Sequence, residues 1–119
     1  MDFISSRDKE RRTTAAGAIL RGLAPDGGLY LPESLPAFSL PEIGAMADMP
    51  YPRLAAAVLE RFLPGFTGAE LLTYAQKAYA SFDAEAVVPL RALKDGVWSL
   101  ELFHGPTSAF KDLALQILP

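Results

Sequence analysis

Between Trp98 and Asp112 the hydrophobic period of the chain changes, and that change limits the folds open to it. Trp98, Leu100 and Leu102 alternate with Ser99 and Glu101, the two-residue repeat of a strand with one buried face. Gly105-Pro106 stops the strand. Thr107 or Ser108 is placed to cap a helix, along which Phe110, Leu113, Ala114, Ile117 and Leu118 recur as one stripe. A strand handed to a helix through a short loop sets Lys111 in the first helical turn.

A lysine there is set against the helix dipole. Aligned peptides leave partial positive charge at a helix N-terminus and favour a neutral amine by about 0.3–1 kcal/mol. That is too little to make a lysine nucleophilic, and the larger effect of burial is needed. A reactive Lys111 therefore requires a closed, dry pocket. Read from the residues alone, Lys111 is a solvated surface lysine, as most lysines are.

The run Leu-Glu-Leu-Phe-His-Gly-Pro-Thr-Ser-Ala-Phe-Lys-Asp, Leu100 to Asp112, resembles the lysine segment of threonine synthases, pyridoxal-phosphate enzymes of the tryptophan-synthase-β-like fold. Ser108 stands where a larger apolar residue is expected. Gly-Leu-Ala-Pro-Asp-Gly-Gly-Leu-Tyr-Leu-Pro-Glu, Gly22 to Glu33, is similar to the N-terminal signature of the same family. Phe3-Ile4-Ser5-Ser6-Arg7 resembles its opening, with Ser6 in place of the commoner threonine.

The resemblance implies that Lys111 is both the catalytic residue and the residue that holds pyridoxal 5'-phosphate as a Schiff base. It implies conversion of O-phosphohomoserine and water to threonine and phosphate. It also implies an α/β fold: a helix-rich N-terminal domain over residues 1–95, with residues 96–119 opening a fold-type II cofactor domain. Since the family's phosphate and substrate loops lie downstream of the lysine, the chain is expected to be the N-terminal part of such an enzyme, inactive alone, with the remainder of its cofactor domain as partner. Two alternatives stay open: another fold-type II pyridoxal-phosphate lyase, or a non-catalytic binding module. His104, Thr107 and Asp112 read either as supporting residues or as a loop-shaping residue, a helix cap and a dipole-favouring carboxylate.

Upstream, Phe3–Arg7 alternates as a short strand. Thr13 and Thr14 are candidate caps for a helix over Ala15, Ala16, Ile19, Leu20 and Leu23, ended by Gly22. Gly22–Gly28 has the chemistry of a structural turn and lacks a nucleotide-binding glycine pattern. Leu29-Tyr30-Leu31 is a candidate strand, and Pro41 opens a short helix through Met46. A helix with Leu54, Ala55, Val58, Leu59 and Phe62 on one face begins at Tyr51-Pro52 and ends at Pro64-Gly65. Thr67-Gly68-Ala69-Glu70 has the form of a capping box ahead of another amphipathic helix. The two are expected to pack together with Phe62, Tyr74 and Tyr79 in the core. Val87–Leu90 reads as an edge strand, and Lys94-Asp95-Gly96 as a hairpin turn back into Trp98.

Composition excludes several classes. The chain of 119 residues has no cysteine and one histidine, so thiolate metal sites and a histidine-based zinc site are out of reach, and no pair of carboxylates brackets His104 at ligand spacing in the sequence. A net charge of −3 leaves no footprint for nucleic acid, and Lys9, Arg11 and Arg12 are interleaved with Asp8 and Glu10 as a solvated segment. No apolar run approaches the roughly 20 residues of a membrane span. With no secretion signal at Met1–Arg7, the expected location is the cytoplasm.

Overall fold

Phe3–Ser5 forms strand β1, with β2 (Arg12–Thr13) on one side and β3 (Tyr30–Pro32) on the other, both antiparallel to it, in a computed structural model that describes residues 1–118. Pro119, the last residue of the predicted second domain, lies outside the described residues. Phe3 pairs with Thr13 and with Pro32, and Ile4 with Arg12 and Leu31. The basic cluster is solvent-exposed, as expected, and also ordered: Arg12 is in a strand and pairs with Glu33 at 2.5 Å.

The Gly22–Gly28 turn is structural, as expected. The Asp26 carboxylate accepts from the Gly28 amide and the Ser5 hydroxyl, each at 2.9 Å, and Arg7 donates to the Asp26 carbonyl at 3.0 Å. The Gly28 amide foremost, helped by Ser5 and Arg11, holds the Asp26 carboxyl below its ordinary value.

Three of the helices begin on side-chain caps legible in the sequence. Thr14 accepts from the Gly17 amide and opens α1 (Ala15–Arg21), which Gly22 closes. Ser39 and Glu42 form a capping box on α2 (Leu40–Met46), and Thr67 and Glu70 form another on α4 (Gly68–Tyr79). Proline in the first turn starts α3 (Tyr51–Phe62). Arg61 of α3 pairs with Glu42 and lies over the Phe38 ring, tying α2 to α3.

Helices α3 and α4 pack against each other. Ala56, Leu71, Ala75, Ala78 and Tyr79 are buried, and the core cluster of Ala75, Ala78, Tyr79 and Val87 is flanked by Tyr51, Ala55, Phe82, Val88, Leu113 and Ile117. Tyr79 meets Tyr51 and Phe82 edge-on, with ring centroids 5.0 and 5.5 Å apart, the arrangement favoured by aromatic quadrupoles. Of the three predicted core aromatics Tyr79 is buried, Phe62 is half-buried and Tyr74 is exposed. Tyr74 instead edges an apolar groove with Leu63, Phe66, Ile117 and Leu118, because it falls on the flank of the α4 stripe.

The second half departs further from expectation. Strand β4 is Leu90–Ala92 rather than Val87–Leu90, since Val87 has φ 61°, a conformation no strand residue adopts. Strand β5 is Trp98–Leu100 and pairs antiparallel with β4, Leu90 opposite Leu100 and Ala92 opposite Trp98. The alternation is real but its burial is inverted. Trp98 and Leu100 are 60% and 51% exposed, whereas Glu101 is 8% exposed. In a two-stranded ribbon one face alone finds cover, and here the polar side has it.

Candidate functional site

A tight turn aims the hairpin at the lysine loop. Asp95 and Gly96 have φ 54° and 76°, and Val97 donates to the Lys94 carbonyl at 3.0 Å. Two consecutive positive φ angles make a tight turn between Lys94 and Val97, and Asp-Gly adopts them at low cost.

At the end of β5, Glu101 turns inward. One carboxylate oxygen accepts from Arg91 Nε of β4 at 2.6 Å, and the other lies 2.8 Å from His104 Nε2. His104 Nδ1 lies 2.6 Å from Asp83 Oδ1, and the Asp83 amide donates to the His104 carbonyl at 3.0 Å. Two carboxylates therefore bracket His104 in space, although none pairs around it in the sequence. They serve as hydrogen-bond partners. Among the described residues no group of three or more histidine, cysteine, aspartate or glutamate side chains is placed to hold a metal ion. Glu101 foremost, then Asp83, raises the pKa of His104, and Arg91 foremost, then His104, lowers that of Glu101.

The loop that follows is tied from within by Asp112, which is 1% exposed. Its two oxygens accept from the amide and the hydroxyl of Thr107, both at 2.8 Å. A Cβ on residue 105 would fall 2.5 Å from the Cβ of Asp112, so glycine is required there for the two strands of the loop to close. Neither Thr107 nor Ser108 caps the helix, contrary to expectation. Thr107 is engaged by Asp112, and Ser108 stands at φ 58°. The helix itself, α5 (Asp112–Leu115), has four residues, with Lys111 at its N-cap position. Its carbonyl at Leu113 accepts from the Tyr79 hydroxyl at 3.0 Å, which anchors α5 to α4.

Lys111 is exposed, and none of the ion pairs among the described residues engages it. The described residues do not enclose it in a dry pocket. An apolar groove of about 600 Å³ lies beside Tyr74 and Ile117, and Lys111 does not line it. What the fold supplies is a primary amine held on a loop braced at both ends: by His104 at its start and by Asp112 and Tyr79 at its close. His104, Thr107 and Asp112, the supporting residues named from the sequence, are brought together. Glu101, Asp83 and Arg91 were missed. The three-residue spacing of Glu101 and His104 is a usable local signal, but Asp83 lies 21 residues from His104 and has none.

Comparison with known proteins places this arrangement. The family described as "Threonine synthase N terminus" matches residues 2–79. Threonine synthase from Pseudomonas aeruginosa is 45% identical over 119 residues, a match covering 99% of this chain and 25% of the relative. Human threonine synthase-like 2 is 36% identical over 122 residues, covering 98% of the chain and 24% of the relative. The crystal structure of PLP-bound threonine synthase from Brucella melitensis superposes with a TM-score of 0.92 at 41% identity, covering 99% of this chain and 26% of that one. The chain thus spans about a quarter of the length of these relatives, and it belongs to the threonine synthase N-terminus family.

Proposed function

We propose that this chain forms the N-terminal quarter of a cytoplasmic threonine synthase that converts O-phosphohomoserine and water to threonine and phosphate. Residues 1–95 are its N-terminal domain and 96–119 the opening of its cofactor domain. Lys111 is the residue that binds pyridoxal phosphate. The observation that carries the reading is the position of Lys111: an exposed amine, outside every ion pair among the described residues, on a loop closed by Asp112 and Thr107, within a chain alike over nearly its whole length to a PLP-bound threonine synthase.

A primary amine is the group that an aldehyde cofactor requires, so the residue present fits. When bound, pyridoxal phosphate supplies an electron-withdrawing ring that stabilises negative charge at the substrate carbon next to the amine. Lys111 Nζ, once neutral, takes and returns protons at the substrate α- and β-carbons. The Asp112–Thr107 bonds and the Tyr79 tether limit the arc over which that nitrogen moves. With only four residues, α5 contributes little dipole to keep the amine neutral. Exclusion of water falls to the remainder of the cofactor domain, and exposed Trp98, Leu100, Phe103, Phe110 and Leu115 offer the apolar surface for it to cover.

The test is reductive trapping. This chain and a longer product of the same reading frame are incubated with pyridoxal phosphate and reduced with borohydride, and the labelled lysine is mapped by mass spectrometry. Lys9, Lys77, Lys94 and Lys111 are the lysines of the chain. Stoichiometric label on Lys111 in the longer product, with weak or scattered label in the short one, is expected. Absence of preference for Lys111 in the longer product overturns the cofactor assignment and favours a non-catalytic binding module. Trapping at Lys111 without turnover of O-phosphohomoserine favours another lyase of the same fold.

A further inference from the structure

We infer that His104 is a positioning residue for Lys111: clasped as an imidazolium between Asp83 and Glu101, it pins the start of the lysine loop to the segment leaving α4. This rests on Lys111 being the working residue of the loop, as proposed above.

The geometry determines the protonation state. Ionised carboxylates only accept hydrogen bonds, and a neutral imidazole has one N–H and one lone pair. His104 has a carboxylate oxygen 2.6 Å from Nδ1 and another 2.8 Å from Nε2. Both contacts are satisfied only if both nitrogens carry protons. Charge then alternates along a row from Arg91 to Glu101 to His104 to Asp83 and sums to zero. The groups that face the ring are Asp83, from the segment between α4 and β4, and Glu101, from the end of β5, with Arg91 one step beyond. The Phe103 ring, its centroid 4.6 Å from that of His104, carries no charge.

The row reaches Lys111 through one hydrogen bond, one packing contact and two chain neighbours. The Asp83 amide holds the His104 carbonyl, Gly105 follows directly and packs on Asp112, and Asp112 is the chain neighbour of Lys111. Loss of one imidazole proton leaves a carboxylate facing a lone pair. The Asp83 side chain, 78% exposed, is freed at little cost, while Glu101, 10% exposed, keeps the remaining N–H. The side-chain tie between the α4 exit and the lysine loop is the one released, and the Asp83 amide bond to the His104 carbonyl remains.

The sign of the pH dependence follows. Because the partners raise the His104 pKa above 6.5, the brace is complete below the ordinary histidine value and is lost as pH rises through the raised one. Glu101 is shifted downward, so its share is present above the ordinary carboxylate value and lost only as pH falls through the lowered one.

His104 is the one histidine of the chain, so its ring nitrogens give unambiguous signals by ¹⁵N NMR of the 119-residue protein. Both nitrogens should be protonated below the ordinary histidine value of 6.5 and stay so as pH passes it. The Thr107 and Asp112 amides should shift with the same midpoint as the ring, above the ordinary histidine value. Asp83→Asn should lower the ring and amide midpoints together, and Glu101→Gln should lower them further. If Glu101→Gln unfolds the protein by stranding Arg91, the Asp83→Asn titration decides alone. A single protonated nitrogen at pH 6.5, Thr107 and Asp112 amides that stay flat while the ring titrates, or an unchanged midpoint in Asp83→Asn overturns the inference. None of these readings involves the cofactor, so failure here is separate from failure of lysine trapping.

Discussion

The α3–α4 pair and the β4–β5 hairpin are built by opposite means. In the helical pair the apolar stripes face inward: Leu71, Ala75, Ala78 and Tyr79 of α4 are buried, and Leu54, Ala55, Val58, Leu59 and Phe62, the stripe predicted for α3, are half-buried around Ala56, which lies off that stripe and is buried. In the hairpin the predicted apolar face is the exposed one, and a polar row through Arg91, Glu101 and His104 lies on the other side. Burial stabilises the first, and directional hydrogen bonds order the second. Hydrogen bonds contribute modest net stability but set geometry narrowly, which suits a loop that must present one amine in one place.

That contrast can be broken by mutation. Leu71→Ala, at a position 2% exposed, should cost about 2–5 kcal/mol in urea unfolding, since the cavity adds to the lost transfer energy. A loss near zero would show that the helical pair is not the stabilising core. Gly105→Ala drives a methyl against Asp112 and should cost about 1–3 kcal/mol. Its amide spectrum should change most at Thr107 and least in α3, and a change spread evenly over the chain would contradict a locally tied loop.

The junction between the two regions is Tyr79. Removing its hydroxyl, which donates to the Leu113 carbonyl, should cost about 0.5–1.5 kcal/mol in Tyr79→Phe and increase amide exchange in α5 before α4. Burial foremost, with Tyr51 adding, pushes the Tyr79 pKa up to about 12. The stabilisation from keeping this phenol neutral is full below the ordinary value of 10.0 and lost as pH rises through about 12. In an absorbance titration of the four tyrosines, the Tyr79→Phe protein should lack the last step; retention of that step would assign it elsewhere. The smallest effect should come from Leu100→Ser. Leu100 is 51% exposed, and the change should stay within about 0.5 kcal/mol. A cost comparable to that of Leu71→Ala would mean that the hairpin face is covered in solution.

Much of the fold was legible because it is local. Thr14, the Ser39–Glu42 box and the Thr67–Glu70 box act within one helical turn, so their side chains meet wherever the helix lies. Of these, the Thr14 and Thr67 caps were read from the sequence, while for α2 only the Pro41 start was recognised. The Asp95-Gly96 turn was legible for the same reason. The strand positions were less so. Val87 takes a positive φ that its β-branched side chain disfavours, and only its burial beside Tyr79 accounts for the displacement of β4 toward Leu90.

The sequence by itself determined where α1 to α4 start, where the hairpin turns, and that a lysine follows a Gly-Pro loop, since each depends on contacts among residues a few positions apart. Tertiary structure alone decided which face of β5 is covered, that Asp112 binds Thr107 instead of serving the helix end, and that Asp83 reaches His104. The physical reason is distance along the chain together with competition for partners. A strand has two chemically usable faces and a carboxylate has several possible donors, and only the packing of remote segments selects among them.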